Sequence, residues 1–289
     1  MKVSGFSFIR NGIIYDYPVV ESISSILPLC DEVVVAVGNS DDETLELIRS
    51  IDPYKIKIVE TVWDEELREG GRVLAVETDK AFRAISPDSD WALYIQGDEV
   101  LHEHDYDAIK SAMEEHLSNK KIQGLLFNYL HFYGSYDFVG TSANWYPHEI
   151  RIIRNDKNIY SYRDAQGFRI GNNQKLKVAK VKAWVYHYGW VKDPKAMQRK
   201  QRNFNRYWHD DNWVEQHVSK EESFDYRKNV RELLHFKGRH PKVIQKRIAA
   251  TNWKFDYDPT FSQKSLKEKI KLFFKKYLGL DFSYKNYRL

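Results

Sequence analysis

Four short apolar runs, separated by segments of helical periodicity, fill the first 95 residues and constrain the fold more than anything else in the chain. Lys2–Ile9, Glu32–Val37, Ile56–Val62 and Trp91–Ile95 are too short for typical helices and read as strands. The run Glu-Val-Val-Val-Ala-Val at 32–37 is β-branched and apolar throughout, as a strand buried on both faces must be. Between the runs, Val19–Leu29, Glu43–Ile51 and Val73–Ile85 read as helices. The turn Gly38-Asn39-Ser40-Asp41-Asp42 offers side chains that accept the free N–H groups at a helix start. Gly70-Gly71-Arg72 leads into the third helix. Strands alternating with helices of about a dozen residues predict an α/β fold with a parallel sheet covered on both faces.

The fourth run ends in Gln96-Gly97-Asp98-Glu99. In open α/β sheets, ligands bind just outside the carboxyl ends of the strands. Two adjacent carboxylates there suit a hard cation, Mg²⁺ or Mn²⁺, held together with substrate phosphates. The same residues also make an ordinary solvated turn, because acidic turns after strands are common. Two more loops fall at strand ends, Arg10-Asn11 and Asn39–Asp42, and a parallel sheet brings all three to one edge. Their chemistry is complementary. Arg10 and backbone N–H groups can meet a base or phosphate, Asn39 and Asp41 can hydrogen-bond a base or ribose, and Asp98 can hold a metal on a diphosphate.

Beyond residue 100 the rhythm changes. Asp105–Leu117 reads as a helix, Gly124–Tyr133, Glu149–Ile153 and Ala183–Tyr188 as strands, and the chain from Pro194 onward as mainly helical and strongly charged. The single Cys30 forbids an internal disulfide and points to a reducing cytoplasm. The start of the chain reads as a strand rather than a secretory leader, and no apolar run approaches the length of a membrane span. A net charge of +4 is too small to imply nucleic acid. With 19 Tyr and eight Trp, many aromatic rings must be partly exposed, ready to stack on a sugar, a base or a partner protein. No GxGxxG, phosphate loop, HExxH or paired CxxC is present, which argues against dinucleotide oxidoreductases, ATPases and zinc sites.

Arg10-Asn11 after the first strand, Val37-Gly38-Asn39-Ser40-Asp41-Asp42-Glu43-Thr44, and Leu93-Tyr94-Ile95-Gln96-Gly97-Asp98-Glu99 together resemble the family 2 glycosyltransferases of the GT-A nucleotide-diphospho-sugar transferase fold. The resemblance spans about residues 1–190 and rests on the order and spacing of the three motifs. It implies a Rossmann-like, mixed and mostly parallel sheet flanked by helices over 1–190, with a helical, basic C-terminal extension over 191–289. It implies an inverting transfer of a sugar from a nucleotide-diphosphate donor to a carbohydrate or lipid-linked hydroxyl, assisted by Mn²⁺ or Mg²⁺, in cell-surface polysaccharide or glycolipid synthesis. Phe8, Arg10, Asn11, Asn39, Asp41, Arg72 and Gln96 are then placed around the nucleotide, with Lys80 beside Arg72. Asp98 and Glu99 match the later acidic positions of the family's DxD motif, and His187 matches a late histidine that often completes the metal site. Gln96 stands where the first Asp would be, which leaves a catalytically inactive nucleotide-sugar-binding protein as the alternative. The family's general base lies between the acidic motif and the late histidine. Asp164 fits that interval, and Glu149 competes with it.

Two features point elsewhere. Lys264, Lys267, Lys271, Lys275 and Lys276 accompany Leu266, Ile270, Phe273, Phe274 and Leu278 at helical spacing. Such a helix either docks its apolar face on the domain or lies on an anionic membrane surface, placing the protein at the inner face. Arg199, Lys200, Arg202 and Arg206 sit near Phe204, Tyr207 and Trp208, a pattern open to nucleic acid, but the acidic residues among them argue against that partner.

Overall fold

The computed structural model describes residues 1–142, 145–228, 230, 232–258 and 285–289. The first units are β1 (Val3–Ile9), α1 (Val19–Ile26), β2 (Glu32–Gly38), α2 (Thr44–Arg49), β3 (Ile56–Thr61), α3 (Arg72–Arg83) and β4 (Trp91–Tyr94). β1 lies between β2 and β4, with β3 beyond β2, and all three pairings are parallel. Every residue of β2 is buried. Val33, Val35 and Val37 pack in the core that holds Ile23 and Ile26 of α1, while Val34 and Ala36 pack in the one that holds Val73, Ala81 and Phe82 of α3. The period of two along the strand thus feeds two cores, one on each face.

The chain then forms β5 (Glu99–Leu101), α4 (Tyr106–Glu115), β6 (Gly124–Tyr133), β7 (Phe138–Gly140) and β8 (His148–Arg154). A hairpin of β9 (Ile159–Tyr162) and β10 (Gly167–Ile170) follows, with β11 (Gln174–Lys175) at its edge, and then the long β12 (Val178–Trp190). β8 runs antiparallel between β4 and β6. β12 runs parallel to β6 and antiparallel to β5. The result is the expected α/β class: a mixed sheet whose parallel block carries the first three strand-end loops.

After β12 come α5 (Pro194–Asn205), α6 (Asp211–His217), β13 (Leu233–His235) and α7 (Gln245–Ala249). β13 pairs antiparallel with β7, tying this region to the sheet. α5 starts firmly because the Asp193 carboxylate accepts the N–H groups of Lys195 and Ala196 and Pro194 fills the first helical position. Among the described residues no helix is long and apolar enough to cross a membrane. Of the basic C-terminal segment, 263–284 lies outside the described residues. Its last residues dock: the Val178 N–H donates to the Arg288 carbonyl, the Arg288 N–H donates to the Leu176 carbonyl, and Tyr287 is buried.

Candidate active site

A cleft of about 500 Å³ opens at the carboxyl ends of β1 and β4. One wall holds Phe8, Arg10, Trp63 and Tyr207; the other holds His131, Tyr133, Trp145 and Trp190. Gln96, Asp98, Asp164, His187 and Lys200 line it as well. The cleft therefore lies at the strand ends where a ligand was expected. Its second wall comes from β6, β12 and the segment before β8, all beyond the parallel block.

The two carboxylates of the acidic turn part company. Asp98 faces the cleft, its Oδ2 3.0 Å from Lys200 Nζ and its Oδ1 3.8 Å from His187 Nε2. Burial alone would raise its pKa, but the Lys200 ammonium beside it outweighs burial and holds the carboxyl well below the usual range. Glu99 does not face the cleft. It is fully buried in a two-point ion pair, Arg151 Nε to Oε2 at 2.8 Å and Nη2 to Oε1 at 2.7 Å. The Tyr129 hydroxyl and the Gln96 N–H also donate to it. With its lone pairs taken by these donors, Glu99 is a framework residue rather than the metal ligand expected from the sequence. Gln96 acts as a latch: its amide lies 3.2 Å from both the Tyr94 hydroxyl and the Ala165 carbonyl, joining the acidic turn to the β9–β10 hairpin.

His187 is oriented by His131, a residue the sequence did not single out. His131 Nε2 lies 2.8 Å from the Tyr146 carbonyl, which can only accept, so Nε2 carries the hydrogen. Burial, then His187 alongside, pushes His131 down to about 3, so the ring is neutral and its Nδ1 is bare. His187 Nδ1, 3.1 Å away, must be the donor of that pair. Burial lowers His187 as well. Its remaining nitrogen, Nε2, therefore presents a lone pair toward Asp98.

Asp98 and His187 fit a divalent cation that draws its other ligands from phosphate. Gly189 leaves the room: a Cβ there would stand 2.6 Å from His187 Nε2 and 2.7 Å from Asp98 Oδ2. The fit is to a cation shared with substrate, because among the described residues no group of three or more His, Cys, Asp or Glu could hold a metal.

Asp164 sits at the tip of the β9–β10 hairpin, between Arg163 and Ala165, both in left-handed backbone conformation. The tip lies against the start of α3, where a Cβ on Gly71 would come 2.8 Å from the Asp164 Cβ. Gly71 is itself left-handed, so both its φ and this approach require glycine. Burial raises the Asp164 pKa, against the pull of backbone N–H groups and Arg163. Glu149 is buried away from the cleft lining. Among the described residues its Oε2 has no hydrogen-bond partner, and burial pushes it up to about 8 despite Arg151. It keeps its proton at neutral pH.

On the nucleotide side, Phe8 and Arg10 line the cleft. Arg10 Nε donates to the Asn39 carbonyl and its guanidinium lies 5.9 Å from the Trp63 ring centre. Asn11, Asn39 and Asp41 stand behind this wall rather than in it. Asn11 and Asp41 exchange hydrogen bonds, Asn11 Nδ2 to Asp41 Oδ2 at 3.1 Å and Asp41 N–H to Asn11 Oδ1 at 2.7 Å. They clamp two strand-end loops together. Arg72 is exposed at the start of α3 and does not line the cleft, and Lys80 pairs with Glu77. Lys200, Phe204 and Tyr207, read from the sequence as part of a basic-aromatic cluster, turn inward to this cleft instead.

No family model matches the chain, and no curated protein does. Solved structures similar to it include S. aureus TarS 1-349 in complex with UDP, at 16% identity and a TM-score of 0.43, covering 77% of this chain and 68% of that one. Glucosyl-3-phosphoglycerate synthase from Mycobacterium tuberculosis, in complex with Mn²⁺, UDP and phosphoglyceric acid, matches at 22% identity and a TM-score of 0.29, covering 45% and 43%. 4-Diphosphocytidyl-2C-methyl-D-erythritol synthase from Anaerococcus prevotii matches at 13% identity and a TM-score of 0.36, covering 71% and 95%. The chain spans only 39% of the length of another TarS structure that it matches.

Proposed function

We propose that this protein is an inverting glycosyltransferase that moves a sugar from a nucleoside-diphosphate donor to a hydroxyl of a carbohydrate or lipid-linked acceptor. The observation that carries the reading is the meeting, in one strand-end cleft, of Asp98 with its cationic partner Lys200, of Asp164 and of two aromatic walls. Phe8, Arg10 and Trp63 suit the nucleotide. Tyr133, Trp145 and Trp190 offer ring faces to the apolar side of a sugar. Asp98 and His187 would hold a divalent cation, which when bound supplies positive charge against the diphosphate.

Asp164 takes the acceptor's proton as the hydroxyl attacks the anomeric carbon from the face opposite the leaving diphosphate. Burial brings its pKa upward, toward the range where a carboxylate is a better base. Glu149, holding its own proton and away from the cleft, leaves this role to Asp164. Residues 1–190 carry the donor site, and 191–289 complete it through α5. Polysaccharide or glycolipid synthesis at the inner face of a membrane belongs to the same proposal.

Asp164→Asn should leave nucleoside-diphosphate affinity within roughly threefold of wild type and cut turnover by about 10²–10⁴-fold, the usual worth of general-base catalysis. A product that keeps the donor's anomeric configuration, or full turnover in Asp164→Asn, would overturn the mechanism. Tight nucleotide-sugar binding with no turnover in wild type, across a panel of sugar acceptors, would favour the inactive binding protein.

A further inference from the structure

Lys200 occupies a position that the proposed transfer leaves unexplained. It reaches in from α5, and its side chain is only 11% exposed. Nζ donates to Asp98 Oδ2 at 3.0 Å and to the Gly189 carbonyl at 2.9 Å. It also stands 4.8 Å from the centre of the Tyr17 ring. An ammonium has three hydrogens, and oxygens of the described residues use two of them. A second lysine, Lys192, is fully buried, donates to the Asp16 carbonyl and sits 4.5 Å from the centre of the same tyrosine ring, but burial, then Lys200, pushes its pKa well down, so the charge on Asp98 is met by Lys200. The carboxylate beside His187 is therefore already neutralised. A divalent cation arriving alone on Asp98 would stand against an ammonium with no further negative charge to offset it. A nucleoside diphosphate brings that charge.

We propose that Lys200 is a resident counter-ion: it occupies Asp98 in the nucleotide-free protein and turns its N–H donors to the diphosphate when a divalent cation shares Asp98. Metal and nucleotide then bind as a pair, and the free protein excludes the metal. This rests on the reading of the cleft as a nucleoside-diphosphate site. No bond is made or broken in the exchange. Lys200 changes partners, and Gly189 keeps the space beside Asp98 and His187 open for it.

The test uses the whole chain with two probes: Mn²⁺ alone, followed by electron paramagnetic resonance, and UDP, GDP, CDP and dTDP in EDTA or in Mn²⁺, followed by calorimetry. Lys200→Met should bind Mn²⁺ alone about tenfold or more tightly than wild type, because the like charge is gone. The same variant should bind the nucleoside diphosphate in EDTA about tenfold or more weakly, because Asp98 now faces phosphate without a counter-ion. Opposite shifts in one variant are the signature, since a merely structural loss lowers both affinities. Lys200→Arg, which keeps the charge, should bind both probes as wild type does, and it tests the idea should Lys200→Met fail to fold. Wild type binding Mn²⁺ alone as tightly as Lys200→Met would overturn the inference while leaving the donor site standing. So would Lys200→Arg gaining Mn²⁺ affinity. No nucleoside diphosphate binding, with or without Mn²⁺, would overturn the donor site and this inference together.

Discussion

Asp98 and Glu99 are neighbours in sequence, yet they serve different regions of the molecule. Glu99 lies within the sheet, at the start of β5, in a two-point pair with Arg151, both side chains essentially unexposed. Asp98 lies at the cleft, in a one-point pair with Lys200, both side chains slightly exposed. Glu149 makes a third case: buried as deeply, near Arg151 but not paired with it, it holds a proton instead of a cation. A buried carboxyl thus settles in one of three ways. With a cation in bidentate contact it becomes framework, with no cation it becomes neutral, and with a lysine at the edge of a cleft it keeps a charge that a ligand can share.

The framework pair gives the largest effect. Arg151→Met removes one partner and leaves Glu99 charged or forced to protonate in a site that also holds the Tyr129 hydroxyl. Breaking a buried pair on one side costs about 3–5 kcal/mol. Equilibrium urea unfolding should show that loss as a lower midpoint with an unchanged slope. A loss below about 1 kcal/mol would mean that water reaches Glu99 and that the two regions differ less than their burial indicates.

Glu149 sharpens the contrast through pH. Its folded pKa of about 8 lies above the ordinary value of 4.5. The folded state therefore holds a proton that the unfolded chain releases once pH passes about 4.5. The associated stability is full below that pH and is lost as pH rises through 8. A tenfold difference in proton affinity between the folded and unfolded states is worth about 1.4 kcal/mol, and relaxation around the site lowers the total, so a loss of about 2 kcal/mol between pH 5 and pH 8.5 is expected. Glu149→Gln, which keeps the neutral shape, should match wild type at pH 5 and exceed it by that amount at pH 8.5. Parallel stability curves for the two proteins would show that Glu149 is ionised when folded.

Much of the first region was legible in the sequence. The unbroken β-branched, apolar run Glu32–Val37 identified a strand buried on both faces, and Gly124–Tyr133 fell on its observed ends. Asp98, Asp164, His187, Phe8, Arg10 and Gln96 do share one cleft. Other parts were hidden for physical reasons. β12 begins at Val178, five residues before the expected start, because its first half is solvated on one side: Val181 and Ala183 point in while Lys180 and Lys182 point out. A search for apolar runs passes over such a strand, whereas period two would have found it. The β9–β10 hairpin turns on left-handed Arg163 and Ala165, residues that do not announce a turn. Lys200 was named only within a basic-aromatic cluster, since the path of α5 alone sets it apart from its cationic neighbours. Glu99 was misjudged because its partner, Arg151, is 52 residues away.

The smallest expected effect comes from a third ion pair, one that also joins the early and late parts of the chain. Arg68, just before α3, holds Asp211 at the start of α6 at 2.8 Å, with the side chains 32% and 66% exposed. Asp211 has a second cation, Arg206, at 3.6 Å. Replacing Asp211 therefore disturbs two contacts, and a double-mutant cycle of Arg68→Ala with Asp211→Ala is needed to isolate one. Solvent screening and the ordering of two long side chains leave such pairs about 0.2–1 kcal/mol. The coupling measured by urea unfolding should lie in that range at low salt and fade toward zero at about 1 M, where the screening length falls to roughly 3 Å. A coupling above about 2 kcal/mol that survived salt would put this surface contact in the class of Glu99–Arg151. Depth would then no longer explain why one acidic neighbour holds the fold and the other is free to meet a ligand.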